Sequence, residues 1–447
     1  MSRLPTLAQA AVDLASGNTS SQALAEAALA RIEDPEGEGA RAFIHFDRAD
    51  VLAQARASDL LRQHGRTRSA LDGIPISIKD LFDVAGQVTA AGSVVLKDAA
   101  PATADCPVIA RLKAAGAVLM GRTNMTEFAF SGIGMNPHYG TPGNPADRAR
   151  IPGGSSSGAA VSAADGMAFA GIGTDTGGSV RIPSALCGLT GLKPTARRVP
   201  IDGVLPLSTS LDSIGPLAAS VDCCARLDAV LAQQPYAAPA PRPANRMRFG
   251  VITNLVNDGI DDHVAKTYRT ALDRLSAAGA VLEDVRIPAL DELGTVNAKG
   301  GFAASEAYAW HRELLEKSAD GYDPRVSGRI ARGAAITGWE YIELLGHRRR
   351  LQADASAITR QFDAMLLPTV PVVAPRIADL ADDDAYATQN MAMLRNSSVG
   401  NFLDRCGISL PIHETGTLPV GLMLMGETGA DATLLDLAAG MEAVLAR

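Results

Sequence analysis

Gly153-Gly154-Ser155-Ser156-Ser157-Gly158, then a run of small residues, then Gly173-Thr174-Asp175-Thr176-Gly177-Gly178-Ser179: the reading of this chain turns on this stretch. Both ends are Gly/Ser turns, rich in hydroxyls and in lightly covered backbone N–H groups. A serine flanked by glycines can present its Oγ to a substrate while neighbouring N–H groups point at a developing oxyanion. Residues 167–173 read as a buried apolar strand feeding the second turn, and residues 158–164 as a small-residue helix leaving the first.

Upstream, residues 74–78 are β-branched and apolar, a strand that ends in Lys79-Asp80. Residues 104–115 read as a helix and 117–120 as a strand. This strand–helix–strand order points to a largely parallel arrangement there, and the chain as a whole to an α/β fold. Residues 1–65 form an N-terminal helical segment, in which residues 41–46 are a short apolar candidate strand. Residues 235–246 are Pro/Ala-rich and read as a surface linker. A second α/β part follows over 247–447, with strands at 249–252 and 281–287, helical sequence over 300–352, strands near 363–368 and 418–424, and a closing helix over 433–445.

Composition narrows the class. The chain has 447 residues, 47% of them hydrophobic but only 4% aromatic, so its core is built from Ala, Val, Leu and Ile. Net charge is −8 with dispersed basic residues, which argues against a nucleic-acid footprint. The five cysteines, Cys106, Cys187, Cys223, Cys224 and Cys406, show no CxxC spacing, so buried thiols are expected rather than disulfides or a metal knot. No apolar run is long enough to span a bilayer, and the N-terminus lacks a secretory h-region. The expectation is a cytoplasmic protein, free of metal and organic cofactor, acting on a small molecule, with a homodimer left open.

A serine nucleophile needs a base within hydrogen-bond reach. None of His45, His64, His138, His263, His311, His347 and His413 has a context that marks it as one, although His138 lies just before the first turn. Gly154-Ser155-Ser156-Ser157-Gly158 matches G-x-S-x-G, but it follows the charged, proline-ended Asp147-Arg148-Ala149-Arg150-Ile151-Pro152 rather than an apolar strand, so Ser156 is not read as an elbow nucleophile. Lys79 is the better base. Desolvation at the end of an apolar strand lowers an ammonium pKa, and a neutral amine can take a hydroxyl proton.

These residues resemble the amidase signature family. The resemblance rests on Gly73-Ile74-Pro75-Ile76-Ser77-Ile78-Lys79-Asp80, the turn at 153–156, Gly173 to Pro183, Cys187-Gly188-Leu189-Thr190-Gly191-Leu192-Lys193-Pro194-Thr195, Gly121-Arg122-Thr123-Asn124-Met125-Thr126-Glu127-Phe128, Ser210-Leu211-Asp212 with Gly215-Pro216, and Leu418-Pro419-Val420-Gly421-Leu422. It covers the chain from about residue 70 onward, with 70–216 as the signature core and 217–360 least distinctive. It implies a single domain over 1–447, an α/β/α sandwich around a large twisted mixed sheet. By resemblance Lys79 takes the place of the catalytic lysine, Ser155 that of the bridging serine (held in that family by a cis peptide), and Ser179 that of the acyl-accepting nucleophile. The N–H groups of Thr176, Gly177, Gly178 and Ser179 would hold the oxyanion, with Ser156, Asp175 and Arg181 supporting them. Ser157 stands where many members carry glycine, and Ala159 where a small hydroxyl often follows.

The expected activity is amide hydrolysis through an acyl-enzyme. Phe128, Phe130, Ile133, Met135, Phe302, Trp339 and Leu394 are candidate walls of an apolar acyl site, which would suit small apolar or aryl amides or carbamates. Arg395 is a candidate charged recognition group. Two alternatives stay open: the glutaminase component of a tRNA-dependent amidotransferase, and a carbamoyl-nitrogen hydrolase of urea or biuret type.

Overall fold

Eleven strands make one mixed sheet in the computed structural model, which describes residues 4–445. In chain order they are β1 (Phe43–His45), β2 (Pro75–Lys79), β3 (Val118–Thr123), β4 (Ala170–Asp175), β5 (Thr190–Lys193), β6 (Ser213–Ala218), β7 (Arg248–Ile252), β8 (Val281–Val285), β9 (Ala364–Pro368), β10 (Gly407–Pro411) and β11 (Gly421–Met425). Across the sheet they run β1-β3-β2-β4-β6-β5-β10-β11-β9-β7-β8.

Connections explain the mixture. Helix Pro107–Ala115 carries the chain from β2 to β3, and helix Ser157–Ala164 precedes β4. Strands β3, β2 and β4 are therefore parallel, as the strand–helix–strand order requires. The β8-β7-β9 edge is parallel as well. Between these blocks the pairings β4–β6, β6–β5, β5–β10, β10–β11 and β11–β9 are all antiparallel. The strands on either side of the exposed 235–243 run thus share one sheet, with β5 beside β10.

Helices cover both faces, and the period-two alternation of the strands feeds both layers. In β3, Leu119 points into the core shared with helices Leu7–Ser16, Pro107–Ala115, Val221–Leu231 and Asp431–Leu445. Its neighbours Val118 and Met120 point to the opposite core, with Ala159, Ala160 and Val161 of helix Ser157–Ala164. Likewise Leu422 and Leu424 of β11 enter the first core, and Met423 and Met425 a cluster beneath helices Gly338–Thr359 and Asp383–Phe402. The fold is the α/β/α sandwich expected.

All five cysteines are buried and unpaired. Among the described residues no helix is long and apolar enough to cross a membrane, and no group of three or more His, Cys, Asp or Glu is arranged to hold a metal ion.

Ala159 finds its reason here. A Cβ on Gly171 of β4 would lie 2.7 Å from the Ala159 carbonyl oxygen and 2.9 Å from its Cβ, so helix and strand meet through two small residues. Gly171→Ala is expected to destabilise the protein by about 1–3 kcal/mol through overpacking. A urea midpoint equal to wild type would contradict this contact.

Candidate active site

Strand β2 delivers Lys79 at its C-terminal end, and its parallel neighbour β4 delivers Asp175. Both strands are buried along their whole length, and Lys79 has no exposed surface. Its Nζ donates to Ser155 Oγ at 2.8 Å and to Thr174 Oγ1 at 2.9 Å. Burial pushes the amine down to about 7, against the opposing pull of the Asp212 and Asp175 carboxylates.

Ser155 follows a cis Gly154–Ser155 peptide bond. Its turn is clamped from two directions. Gly154 N–H donates to the Gly132 carbonyl at 2.9 Å, and Thr126 N–H to the Ser155 carbonyl at 3.1 Å. The two Gly/Ser turns also meet: Ser156 N–H donates to the Ser179 carbonyl at 3.3 Å, and Ser156 Oγ to the Thr174 carbonyl at 3.4 Å. Ser179 is buried, and its hydroxyl hydrogen-bonds to no protein atom among the described residues, Ser155 Oγ included.

Asp175 organises the second turn. Its carboxylate accepts from Gly178 N–H at 2.9 Å, Val180 N–H at 3.2 Å and Arg181 N–H at 3.3 Å. It also takes Nε and Nη2 of the fully buried Arg181 at 3.0 and 2.8 Å. Burial raises the Asp175 carboxyl, but the Arg181 charge and hydrogen bond, with Lys193 and Asn401, together overcome it and hold the carboxyl well below the usual carboxylate range. Asn401 closes the unit, donating to Asp175 Oδ1 at 2.9 Å while its own Oδ1 accepts from Arg181 at 2.6 Å.

The expected set of four oxyanion donors is altered by this arrangement. Gly178 N–H is engaged by Asp175 Oδ1, whereas the N–H groups of Thr176, Gly177 and Ser179 are taken up by no protein acceptor among the described residues. Gly178 has a φ of +128°, and a Cβ there would sit 2.0 Å from Ser397 Oγ, so only glycine fits. Ser397 Oγ in turn donates to the Gly177 carbonyl at 2.7 Å.

The expected acyl wall is only partly assembled. Leu394 borders the turn: a Cβ on Gly177 would lie 3.4 Å from its Cδ2. Ile133 and Met135 share a cluster with Leu394 and Ile182. Phe130 lies under the Arg329 guanidinium, 4.8 Å from ring centroid to Cζ. Phe128 is buried among His311, Tyr322 and Trp310. Phe302 belongs instead to the core with Tyr341 and Phe402. Trp339 starts helix Gly338–Thr359 and is 61% exposed, outside the buried surroundings of the turn. Arg395 donates to the Asp258 carbonyl. His138, the least ordinary histidine by position, bonds to the buried Glu127 at 2.9 Å, and no histidine hydrogen-bonds to Ser155 or Ser179 among the described residues.

Three supporting residues escape the sequence reading. Thr174 lies inside the quoted motif, one residue before Asp175, and only its partner is invisible there. Asn401 and Ser397 lie more than 200 positions away from the residues they hold, with nothing local to mark them.

A sequence profile described as Amidase matches residues 23–435. The chain is 37% identical over 411 residues to 2-amino-5-chloromuconic acid deaminase of Comamonas testosteroni, covering 90% of this chain and 88% of that protein. It is 36% identical over 468 residues to a glutamyl-tRNA(Gln) amidotransferase subunit of Chloroflexus aurantiacus, covering 96% and 94%. It superposes with a TM-score of 0.90 on a crystal structure of an amidase, at 31% identity and with 99% and 100% of the two chains covered.

Two outcomes test this geometry. Asp175→Asn leaves Arg181 buried without its counter-ion and is expected to cost roughly 3–5 kcal/mol, read by urea denaturation; an unchanged midpoint would contradict the pairing. Ser157 Oγ is buried with no hydrogen-bond partner, so Ser157→Ala is expected to raise stability by about 1 kcal/mol. A lower melting temperature would show that the hydroxyl is satisfied after all.

Proposed function

Because the chain belongs to the amidase family, whose members are hydrolases acting on carbon–nitrogen bonds, we propose that Ser179 is its nucleophile and that Lys79, acting through Ser155, is its base. The reading is carried by one observation, the 2.8 Å hydrogen bond from the buried Lys79 Nζ to Ser155 Oγ. As a neutral amine, Lys79 takes the proton of Ser155, and Ser155 takes that of Ser179 as its Oγ attacks the carbonyl carbon. The Ser155–Ser179 contact closes when substrate is bound, since catalytic hydrogen bonds tighten in the Michaelis complex. The oxyanion rests on the N–H groups of Thr176, Gly177 and Ser179, each worth about 3 kcal/mol when well placed. The proton returns through Ser155 to the leaving nitrogen, the C–N bond breaks, and water then cleaves the acyl-enzyme.

The substrate is a small molecule with an apolar or unsaturated acyl part. Leu394 and Ser398, the side chains nearest Gly177, are neutral, and Ile133 and Met135 continue an apolar surface. A glutaminase would need a carboxylate close to the nucleophile for the α-ammonium of glutamine. Leu394 and Ser398 offer none, and the nearby Asp212 carboxylate is already taken up by Thr176, Leu207 and Ser208; turnover of glutamine is what separates a free-standing hydrolase from the amidotransferase component. The likeness to a deaminase of 2-amino-5-chloromuconic acid adds amino-substituted unsaturated acids to the amides, anilides and carbamates worth testing.

Ser179→Ala is expected to abolish turnover, and Lys79→Ala to reduce it roughly 10²–10⁴-fold. Below about 7 Lys79 is protonated and cannot accept a proton, so the rate rises with pH through that value and levels off above it. Turnover of a panel of glutamine, benzamide, a p-nitroanilide, a carbamate and an amino-substituted muconic acid checks all three statements. Full activity in Ser179→Ala would remove the nucleophile, and a wild-type rate with a flat pH profile in Lys79→Ala would remove the base.

A further inference from the structure

Asp212 is a buried carboxylate to which the relay described above gives no part. It immediately precedes β6, whose register against β4 pairs Ser213 with Asp175. The next pair along places Asp212 opposite Thr176, at the entrance of the turn that holds Ser179. Thr176 Oγ1 donates to Asp212 Oδ1 in a short contact. Asp212 Oδ2 is fixed by the backbone N–H groups of Leu207 and Ser208 at 3.0 and 3.1 Å. No arginine or lysine pairs with it directly among the described residues.

The carboxylate shares a small cavity with Thr174, Leu81, Ala129 and Leu207. The cavity volume is about 10 Å³, room for one water molecule. Thr174 is the second hydrogen-bond partner of Lys79 Nζ, at 2.9 Å. Thr174 thus both touches the buried amine and lines the cavity that the Asp212 carboxylate borders.

We propose that Asp212 is a positioning residue of this site, holding the Thr176 end of the oxyanion turn and supplying the negative charge against which Lys79 stays basic enough to work. The inference rests on the Lys79–Ser155–Ser179 reading. Burial alone drives an amine toward the neutral form and weakens it as a base; a nearby carboxylate counters that. Of the other charges around Lys79, Asp175 is already neutralised by Arg181. Around Asp212 the remaining charge is Glu306, which is occupied by Ser208 Oγ at 2.8 Å and Tyr341 OH at 2.6 Å. Asp212 is the first of the charges that raise Lys79, while the Asp212 carboxyl itself is pushed up to about 6, chiefly by burial.

The test is the pH dependence of Ser179 labelling by a fluorophosphonate probe in wild type, Asp212→Asn and Thr176→Val. The amide keeps an acceptor for Thr176 but loses the charge, so the acidic limb of the labelling rate is expected to move down by about one pH unit or more. Thr176→Val keeps the charge, so it is expected to slow labelling and leave the limb in place. A limb that stays put in Asp212→Asn overturns the proposal. Failure of wild type to label at Ser179 overturns the nucleophile assignment instead, so the two failures are distinguishable. Should Asp212→Asn not fold, the reciprocal measurement serves: in carboxyl-labelled protein the NMR titration of Asp212 is expected to shift to higher pH in Lys79→Met, and an unmoved midpoint overturns the proposal equally.

Discussion

A fully buried lysine amine with no carboxylate in hydrogen-bond contact, among the described residues, is the constraint on which this site depends. Lys79 ends a strand that is buried throughout, and its two hydrogen-bond partners are the hydroxyls of Ser155 and Thr174. Hydroxyls accept a hydrogen bond from an amine in either charge state and so do not fix the proton on it. A carboxylate in the same position would hold the charge in place and leave no base. Two charges do act on Lys79, but neither is hydrogen-bonded to it: Asp175 is turned toward Arg181, and Asp212 toward Thr176.

The second requirement is a rigid turn around Ser179, and Asp175 meets it. One carboxylate receives three backbone N–H groups of the 178–181 segment and both ends of a guanidinium fork, with Asn401 locking the plane. Gly178 N–H is drawn inward as part of this hold. That leaves the N–H groups of Thr176, Gly177 and Ser179, on a turn fixed in position by the carboxylate, for the oxyanion role proposed above. Ser397 and Asn401 come from the same helix, Asp383–Phe402, whose Leu394 also packs on the turn. One helix thus both positions the turn and packs against it.

The parts of this molecule that rest on local chemistry are readable in the sequence. The apolar strand ending in Lys79, the two Gly/Ser turns and the helix between them all have short-range signatures, and the family resemblance follows from those residues. Strand β6 is not legible, because Pro216 stands in its middle opposite Ile172, where a missing N–H ordinarily argues against a strand. Strand β10 is equally hidden; it is short and ends in Pro411. Aromatic residues mislead the pocket assignment in two ways. Phe302 fills core space beneath Arg348, and Trp339 faces outward from a helix start, and spacing along the chain separates neither case from a pocket wall. Strand alternation beside Lys79 is a signal that could have found Thr174, whereas Asn401 and Ser397 depend on long-range packing that a single sequence does not display.

The central claim is that Lys79 is a neutral amine at working pH, and it is tested most directly by titrating wild-type protein carrying ¹³C at the lysine ε-carbons, with the Lys79 resonance assigned by its loss in Lys79→Met. The account requires that resonance to titrate near 7, well apart from the exposed lysines near ~10.4. A Lys79 resonance that titrates together with the exposed lysines would contradict it.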